Sequence, residues 1–169
     1  MKLLIVLSAS DFDNFTRRAT VEAICHQNPD TTLLFFTGIK GLPIRPPSDK
    51  SLRWRHYCTL GTGKGEKYLR SAEVALAGLF WRPFFKSFDT IFLTDPNQEL
   101  LLNYIGDNQK LIYLIRDPNA LMSKKNFRRE ERILSRNPHV FAVSKALCTH
   151  YPETYYPHIK LDKIGRAHV

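Results

Sequence analysis

The chain has 169 residues, of which 43 % are hydrophobic, and a formal net charge of +9. That length fits one domain with a sizeable core, and a hydrophobic content that includes 11 Phe argues against a disordered chain. No apolar run approaches the roughly 18 residues of a membrane span, and the one at the N-terminus is too short for a secretory signal, so we expect a cytoplasmic protein. The three cysteines lack CxxC or metal-ligand spacing, which predicts reduced thiols and no metal site.

Short apolar runs that alternate with helical patterns predict a parallel sheet. In chain order the predicted strands are 2–8, 32–36, a less clear one near 57–60, 89–94, 110–115, 140–143 and an edge strand at 155–161. The predicted helices are 15–27, 66 to about 81, 96–105, 121–136 and 145–150. Most of the strand runs lack alternating polarity, which is typical of strands buried on both sides. The predicted fold class is α/β, with a doubly wound, mostly parallel Rossmann-like sheet and helices on both faces.

Polar residues gather where the predicted strands end. They are Asp95, Arg116, Asp117, Ser144 and Lys145. In an open parallel sheet the ligand crevice lies outside the carboxyl ends of the strands, so these residues are candidates for binding a ligand. Asp95 and Asp117 are candidate catalytic carboxylates, and helix capping is the alternative role for both of them and for Ser144.

The loop after the first strand gives a second group of candidates. Asp11 and Asp13 lie in this loop, and Arg17 is in the first turn of the helix that follows, where the helix N-terminus favours an anion. The loop, residues 8–14, contains no glycine. A dinucleotide-binding unit needs glycines here to approach a pyrophosphate, so an NAD or FAD enzyme is disfavoured. The two aspartates give only weak support to a flavodoxin-like domain that binds a small ligand or takes part in a phosphorelay.

Residues 40–70 form a basic segment, with eight Lys and Arg against one Asp and one Glu. Such a cluster suggests a polyanionic partner or an ordinary solvated surface. Trp54, His56 and Tyr57 are interleaved with the cations, and this pattern makes a basic nucleic-acid-binding α/β module the alternative function. The sequence Gly61-Thr-Gly-Lys-Gly65 lacks the spacing of a phosphate-binding loop, which disfavours an NTPase.

The end of the second long helix combines large apolar residues with cations. Trp81, Arg82, Phe84, Phe85 and Lys86 are candidates to face an anionic membrane, with aromatic rings in the lipid and cations at the headgroups. Packing of the aromatic residues in the core is the alternative, since aromatics at helical spacing are usually core residues. A peripheral position at the inner face of the cell membrane is the localisation that this patch suggests.

The stretch 127–147, FRREERILSRNPHVFAVSKAL, resembles the N-terminal domain of family 4-like, GT-B glycosyltransferases. In that family a helix with an E-x-x-L element precedes a strand and then V-x-x-V-S-x-x-L, which matches Val140, Val143, Ser144 and Leu147. The strands 2–8, 89–94 and 110–115 fit the earlier strands of the same domain. The resemblance covers most of residues 1–162 and rests on hydrophobicity with a few polar positions.

This resemblance implies a two-domain enzyme in which residues 1–162 form the acceptor-binding half. The second half would bind the nucleotide-diphosphate sugar donor, so no other cofactor is implied and no nucleic acid is expected as a partner. The acceptor would be a cell-surface glycan or a lipid-linked molecule of cell-envelope polysaccharide biosynthesis. Asp95 and Asp117 would then orient or deprotonate the acceptor hydroxyl. The isolated fragment is expected to be inactive because half of the cleft is missing.

The last seven residues, 163–169, look like the in-frame translation of a common sequencing adapter. Residues 164–169 match it wholly and Lys163 matches it in part. We therefore expect these residues not to be native and the natural chain to continue beyond Asp162.

Overall fold

A computed structural model gives the chain an α/β fold. The structure describes residues 1–8, 15–38, 47, 49–59, 66–115, 123–142 and 162–163, with only the backbone described at 15–17, 66–71 and 162–163. Its strands are β1 (Leu3–Ser8), β2 (Thr31–Gly38), β3 (Arg53–Thr59), β4 (Thr90–Leu93), β5 (Lys110–Ile115), β6 (His139–Ala142) and β7 (Asp162–Lys163). Its helices are α1 (Phe15–Gln27), α2 (Glu66–Lys86), a 3-10 helix (Pro96–Asn103) and α3 (Lys124–Leu134).

The strands are hydrogen-bonded in the order β3-β2-β1-β4-β5-β6-β7. Strand order 3-2-1-4-5-6 is that of the doubly wound Rossmann-like sheet, and β7 adds only two residues at one end. The predicted α/β, Rossmann-like fold class is confirmed. The chain divides into two compact units, 1–91 with 100–110 and 92–99 with 111–169, which are described separately below.

In the first unit, β1 and β2 form the buried centre. Residues 4–7 of β1 and 31–37 of β2 are buried, since both strands have an apolar centre, LIVL in β1 and LLFF in β2, and threonines flank the centre of β2. They pair in parallel from Leu3 opposite Thr31 to Ser8 opposite Phe36. Strand β3 continues the parallel pairing on β2, and exposed residues at its start give way to buried Tyr57 and Thr59 at its end.

Helix α2 is longer than the sequence predicts. It continues through Pro83 to Lys86. A proline inside a helix leaves the carbonyl four residues earlier without its helical partner. Pro83 lies on the exposed side of α2, where water can reach that carbonyl. The end of the helix is fixed by Gln109, whose side-chain amide donates to the carbonyls of Phe85 and Phe88 at 2.7 and 2.6 Å.

In the second unit, β5 and β6 pair in parallel from Ile112 opposite His139 to Ile115 opposite Ala142. Helix α3 begins at the N-cap Ser123, whose hydroxyl accepts a hydrogen bond from the Asn126 N–H at 3.1 Å. It is shorter than predicted at both ends. Its inner side is confirmed in part, since Ile133 and Leu134 are buried and Phe127 is half-buried.

Two expectations about the strands need correction. Strands β5 and β6 were expected to be buried on both sides, yet buried and half-buried residues alternate along both. The side of β5 that carries Ile112 and Leu114 is covered less completely than the other. The less clear strand expected near 57–60 is a full seven-residue strand that begins at Arg53. The helix 145–150 and the edge strand 155–161 lie outside the described residues.

Candidate functional site

Asp95, a predicted catalytic residue, is half-buried directly after β4. Its carboxylate oxygen Oδ1 accepts a hydrogen bond from the backbone N–H of Asn97 at 2.7 Å. This bond caps the start of the 3-10 helix, which is the ordinary role of an aspartate at such a position. The geometry therefore gives Asp95 a capping contact, which was the alternative role in the sequence analysis.

The side chain of Gln98 binds the backbone of the same turn, and the sequence did not indicate this residue as functional. It is 0 % exposed. Its Oε1 accepts hydrogen bonds from the backbone N–H groups of Thr94, at 2.7 Å, and Asp95, at 3.2 Å, and its Nε2 donates to the Thr94 hydroxyl at 3.3 Å. Backbone N–H groups at the end of a parallel strand are frequent anion ligands. Here two of them are already bound by a side chain, so this turn does not offer them to a phosphate.

The cations of α3 have partners in the second unit. Arg129 donates to the side-chain carbonyl of Asn97, and Arg132 forms a salt bridge with Glu99, which is buried. On the inner side of the same helix, the buried Glu130 accepts a hydrogen bond from the Tyr113 hydroxyl at 2.7 Å. A charge run on an amphipathic helix is usually a solvated face, but two of these arginines hold the 3-10 helix instead.

The other predicted ligand-binding residues cannot be assigned a geometry. Asp117, Arg116, Asp11, Asp13, Ser144 and Lys145 lie outside the described residues, and Arg17 is described only by its backbone, in the first turn of α1. Within the described ranges the structure therefore brings no two of the predicted cleft residues together. The same ranges contain no group of three or more His, Cys, Asp and Glu side chains that could hold a metal ion.

A buried polar network in the first unit was missed by the sequence analysis. Glu73 of α2 is 7 % exposed, and its two carboxylate oxygens accept hydrogen bonds from the hydroxyls of Tyr57, at 2.8 Å, and Thr59, at 3.0 Å. The hydroxyls of Tyr57 and Tyr104 are 2.9 Å apart. No spacing rule could have found this cluster, because its members come from β3, α2 and the residue after the 3-10 helix.

The network is built to hold protons rather than to release them. Burial raises the pKa of Tyr57 well above its ordinary value, and its hydrogen bonds to Tyr104 and Glu73 raise it further. Burial is also the main cause of the raised pKa of Tyr104. Both phenols are therefore protonated at neutral pH. This arrangement ties α2 to β3, and it is a structural element rather than a pair of catalytic acids.

The membrane-facing prediction for the end of α2 is wrong for Phe85, which is 0 % exposed. Trp81 and Phe84 are half-buried and pack on other rings, Trp81 on Tyr57 at a centroid distance of 5.0 Å and Phe84 on Phe88 at 5.1 Å. These aromatics fit the core alternative better. Arg82 and Lys86 are exposed, as the membrane hypothesis requires.

Other apolar residues of α2 face outward. Leu76 is 70 % exposed, Leu79 is 76 % exposed and Phe80 is 81 % exposed. Their spacing of three and four residues puts them on one side of the helix, and the structure places that side at the surface. No helix among the described residues is both long enough and apolar enough to cross a membrane.

The part of the basic segment whose side chains are described lies on β3 and before it. Lys50, Arg53 and Arg55 are exposed, and Trp54 is 40 % exposed with its ring edge-on to Phe35 at 5.9 Å. His56 is half-buried, its Nε2 lies 2.9 Å from the Thr37 hydroxyl, and burial lowers its pKa. Because side chains alternate along a strand, Arg53 and Arg55 lie on one face of β3 and Trp54 on the other, and exposure falls toward the half-buried His56 and the buried Tyr57.

No family model matches the chain, and no curated protein matches it significantly. Among solved structures it is similar to TubZ of Clostridium botulinum phage c-st, with a TM-score of 0.45 and 9 % identity over 92 % of this chain. It is also similar to a short-chain dehydrogenase/reductase from Veillonella parvula in complex with NADP, with a TM-score of 0.41 and 10 % identity over 85 % of this chain. The chain spans 55 % of the TubZ chain and 69 % of the reductase chain. Likenesses at this level say nothing about function.

Proposed function

We propose that this chain is the acceptor-side, Rossmann-like part of a GT-B glycosyltransferase that uses a nucleotide-diphosphate sugar. The observation that carries the proposal is the parallel sheet, whose strand order 3-2-1-4-5-6 is combined with a glycine-free loop after β1. Such a sheet suits one half of a two-domain transferase, and the missing glycines argue against a dinucleotide enzyme. The resemblance of residues 127–147 to the glycosyltransferase pattern adds to this support.

In the proposed reaction a carboxylate takes the proton of an acceptor hydroxyl. The hydroxyl oxygen attacks the anomeric carbon of the donor, and the bond from that carbon to the diphosphate breaks, so that the nucleotide diphosphate leaves with the bonding electrons. Asp95 uses one of its oxygens to cap the 3-10 helix, which favours an orienting or structural role for this residue. Asp117 is therefore our choice for the base.

The test starts from the uninterrupted coding sequence beyond Asp162. The full product is expressed and its melting temperature is measured with a panel of nucleotide-diphosphate sugars. A donor at about 100 times its dissociation constant adds about 2.7 kcal/mol of stability. We expect one donor class to stabilise the full protein and the 169-residue chain to show no turnover.

The two carboxylates provide matched variants for the same assay. Asp117→Asn should lower turnover with the identified donor by two to four orders of magnitude, as about 10²–10⁴-fold is the usual loss when a general base is removed. Asp95→Asn keeps an oxygen that can accept from Asn97 and should retain most of the activity. A stop codon soon after Asp162, or a full protein that no nucleotide sugar stabilises, would refute the transferase proposal.

One observation favours a second candidate, a nucleic-acid-binding module. Arg53 and Arg55 are exposed on one face of β3 and the partly exposed Trp54 lies on the other. An aromatic ring and two cations therefore meet at the edge of the sheet, which suits a single strand of nucleic acid that runs along this edge. Binding of single-stranded RNA that weakens steeply with salt and is lost in Trp54→Ala would favour this candidate. RNA binding that is unchanged in Trp54→Ala would exclude this surface as the binding site.

A further inference from the structure

The outward side of α2 is an apolar surface with cations at one end. Going along the helix from residue 72, its exposed apolar residues are Ala72, Ala75, Leu76, Leu79, Phe80 and Pro83. Steps of three and four residues bring them onto one side of a helix, and we call this set the outer face of α2. With 1.5 Å of rise per residue, the stretch from 72 to 86 is about 21 Å long.

The outer face is surface and not an incompletely covered part of the core. The opposite side of the helix already packs into the first unit through the buried Gly78 and Phe85 and the half-buried Trp81. Single exposed apolar residues are common on proteins, whereas a contiguous row of large ones marks an interaction surface. Leu76, Leu79 and Phe80 form such a row, with about three quarters of each side chain exposed.

The charges along this helix select the kind of partner. Arg82 and Lys86 are exposed, and both follow Leu79 at helical steps, three and seven residues later. The one acidic residue between 72 and 86 is Glu73, and it is buried. The outer face therefore shows apolar groups and positive charge without an exposed carboxylate in that stretch.

We propose that the outer face of α2 docks in the plane of an anionic lipid bilayer. Leu76, Leu79 and Phe80 would enter the boundary between headgroups and acyl chains, and Arg82 and Lys86 would bind lipid phosphates. A contact between two copies with their α2 helices parallel would bring these cations toward their own counterparts, and a dimer is the alternative occupant that the experiment below tests. The net charge of +9 strengthens the attraction of the whole chain to an anionic surface.

The inference differs from the membrane prediction made from sequence. It assigns insertion to Leu76, Leu79 and Phe80, and it assigns Trp81, Phe84 and Phe85 to the protein interior. It does not rest on the transferase proposal, because vesicle binding and nucleotide-sugar binding are measured separately. Vesicle binding can be absent while nucleotide-sugar binding is present, and the reverse can also be observed.

The experiment is flotation of the 169-residue chain with vesicles of phosphatidylcholine, with and without 30 % phosphatidylglycerol. We expect binding to the anionic vesicles at low salt. The double variant Leu79→Ser/Phe80→Ser should bind at least about tenfold more weakly, because two apolar side chains no longer enter the lipid. Both positions are exposed, so the melting temperature should not fall, and that measurement shows that the variant is folded.

Two pairs of variants with the same charge separate local docking from general attraction. Arg82→Gln/Lys86→Gln removes two cations beside the outer face, and Arg55→Gln/Lys124→Gln removes two exposed cations elsewhere. The first pair should weaken vesicle binding several-fold more than the second. As a direct readout of depth, the tryptophan fluorescence of Phe80→Trp in a Trp54→Phe/Trp81→Phe background should be quenched by brominated lipids.

Three outcomes would overturn the inference. One is equal vesicle binding by wild type and Leu79→Ser/Phe80→Ser. Another is equal loss in the two charge-matched pairs. The third is a wild-type chain that does not bind vesicles but forms a dimer, with Leu79→Ser/Phe80→Ser monomeric. That result would assign the outer face to a second copy of the chain.

Discussion

Removing the Glu73 carboxylate should destabilise the first unit strongly. Glu73→Ala takes away the acceptor of the Tyr57 and Thr59 hydroxyls, both of which are on buried residues. A buried hydroxyl that loses its partner costs about 1–3 kcal/mol, and Tyr57 keeps its contact with Tyr104, which limits the loss on that side. We expect a total of about 2–4 kcal/mol, which corresponds to a fall in melting temperature of roughly 5–15 °C for a chain of this size.

The assay is urea denaturation followed by circular dichroism, supported by thermal melting. Glu73→Gln keeps an acceptor oxygen and adds an amide that can donate to a hydroxyl, so it should cost less than half as much as Glu73→Ala. Glu131→Ala, at an exposed position of α3, is the matched control and should change stability by less than about 0.5 kcal/mol. If Glu73→Ala unfolds at the same urea concentration as this control, the network does not tie α2 to β3 and our reasoning is wrong.

Three further predictions concern single side chains. Gln98→Leu removes the side-chain oxygen that accepts from the Thr94 and Asp95 N–H groups. This change should lower the unfolding free energy by about 2–4 kcal/mol. Urea denaturation measures the loss, with Asn108→Ala at an exposed position as the control. Asp95→Ala should cost about 1 kcal/mol in the same assay and Asp95→Asn much less, since asparagine also caps; equal losses would contradict the capping role. Burial, aided by the nearby Glu22 carboxylate, raises the pKa of the Cys25 thiol from 9.0 to about 11. The thiolate fraction of Cys25 at pH 8 is then about 100-fold below that of an ordinary cysteine. Mass spectrometry after iodoacetamide treatment should therefore show Cys58 alkylated well before Cys25. Fast labelling of Cys25 would refute its burial.

The sequence predicted those parts of the fold that depend on local pattern. Strand β1 and helix α1 were predicted to within a residue, because a short apolar run such as LLIVL is typical of a buried strand and the 13 residues of α1 have helical spacing after a capping signal. The orientation of α2 could not be predicted in the same way. Helical periodicity shows that Leu76 and Leu79 share a side, but not whether that side is covered. The side that packs inward carries Gly78, Trp81 and Phe85, and these residues contact Tyr57 and Tyr104 from other parts of the chain.

The candidate site shows the same limit in chemical terms. The Asp-Pro after β4 correctly placed Asp95 at a strand end. Its contact with the Asn97 N–H and the insertion of Gln98 beneath the turn depend on three-dimensional closure of a short loop. A carboxylate that caps and a carboxylate that catalyses have the same sequence signature, so only geometry separates the two roles.

Strand β3 also has a consequence for how the protein avoids self-association. It stands at the end of the strand order, and an outermost strand is a template on which another chain can add its own strand. Arg53 and Arg55 are exposed at the start of this strand, and an antiparallel pair of copies centred on this start would bring their guanidinium groups near each other, where like charges repel. Exposed charges on an outermost strand oppose edge-to-edge pairing, and Arg53 and Arg55 place such charges on the first half of β3.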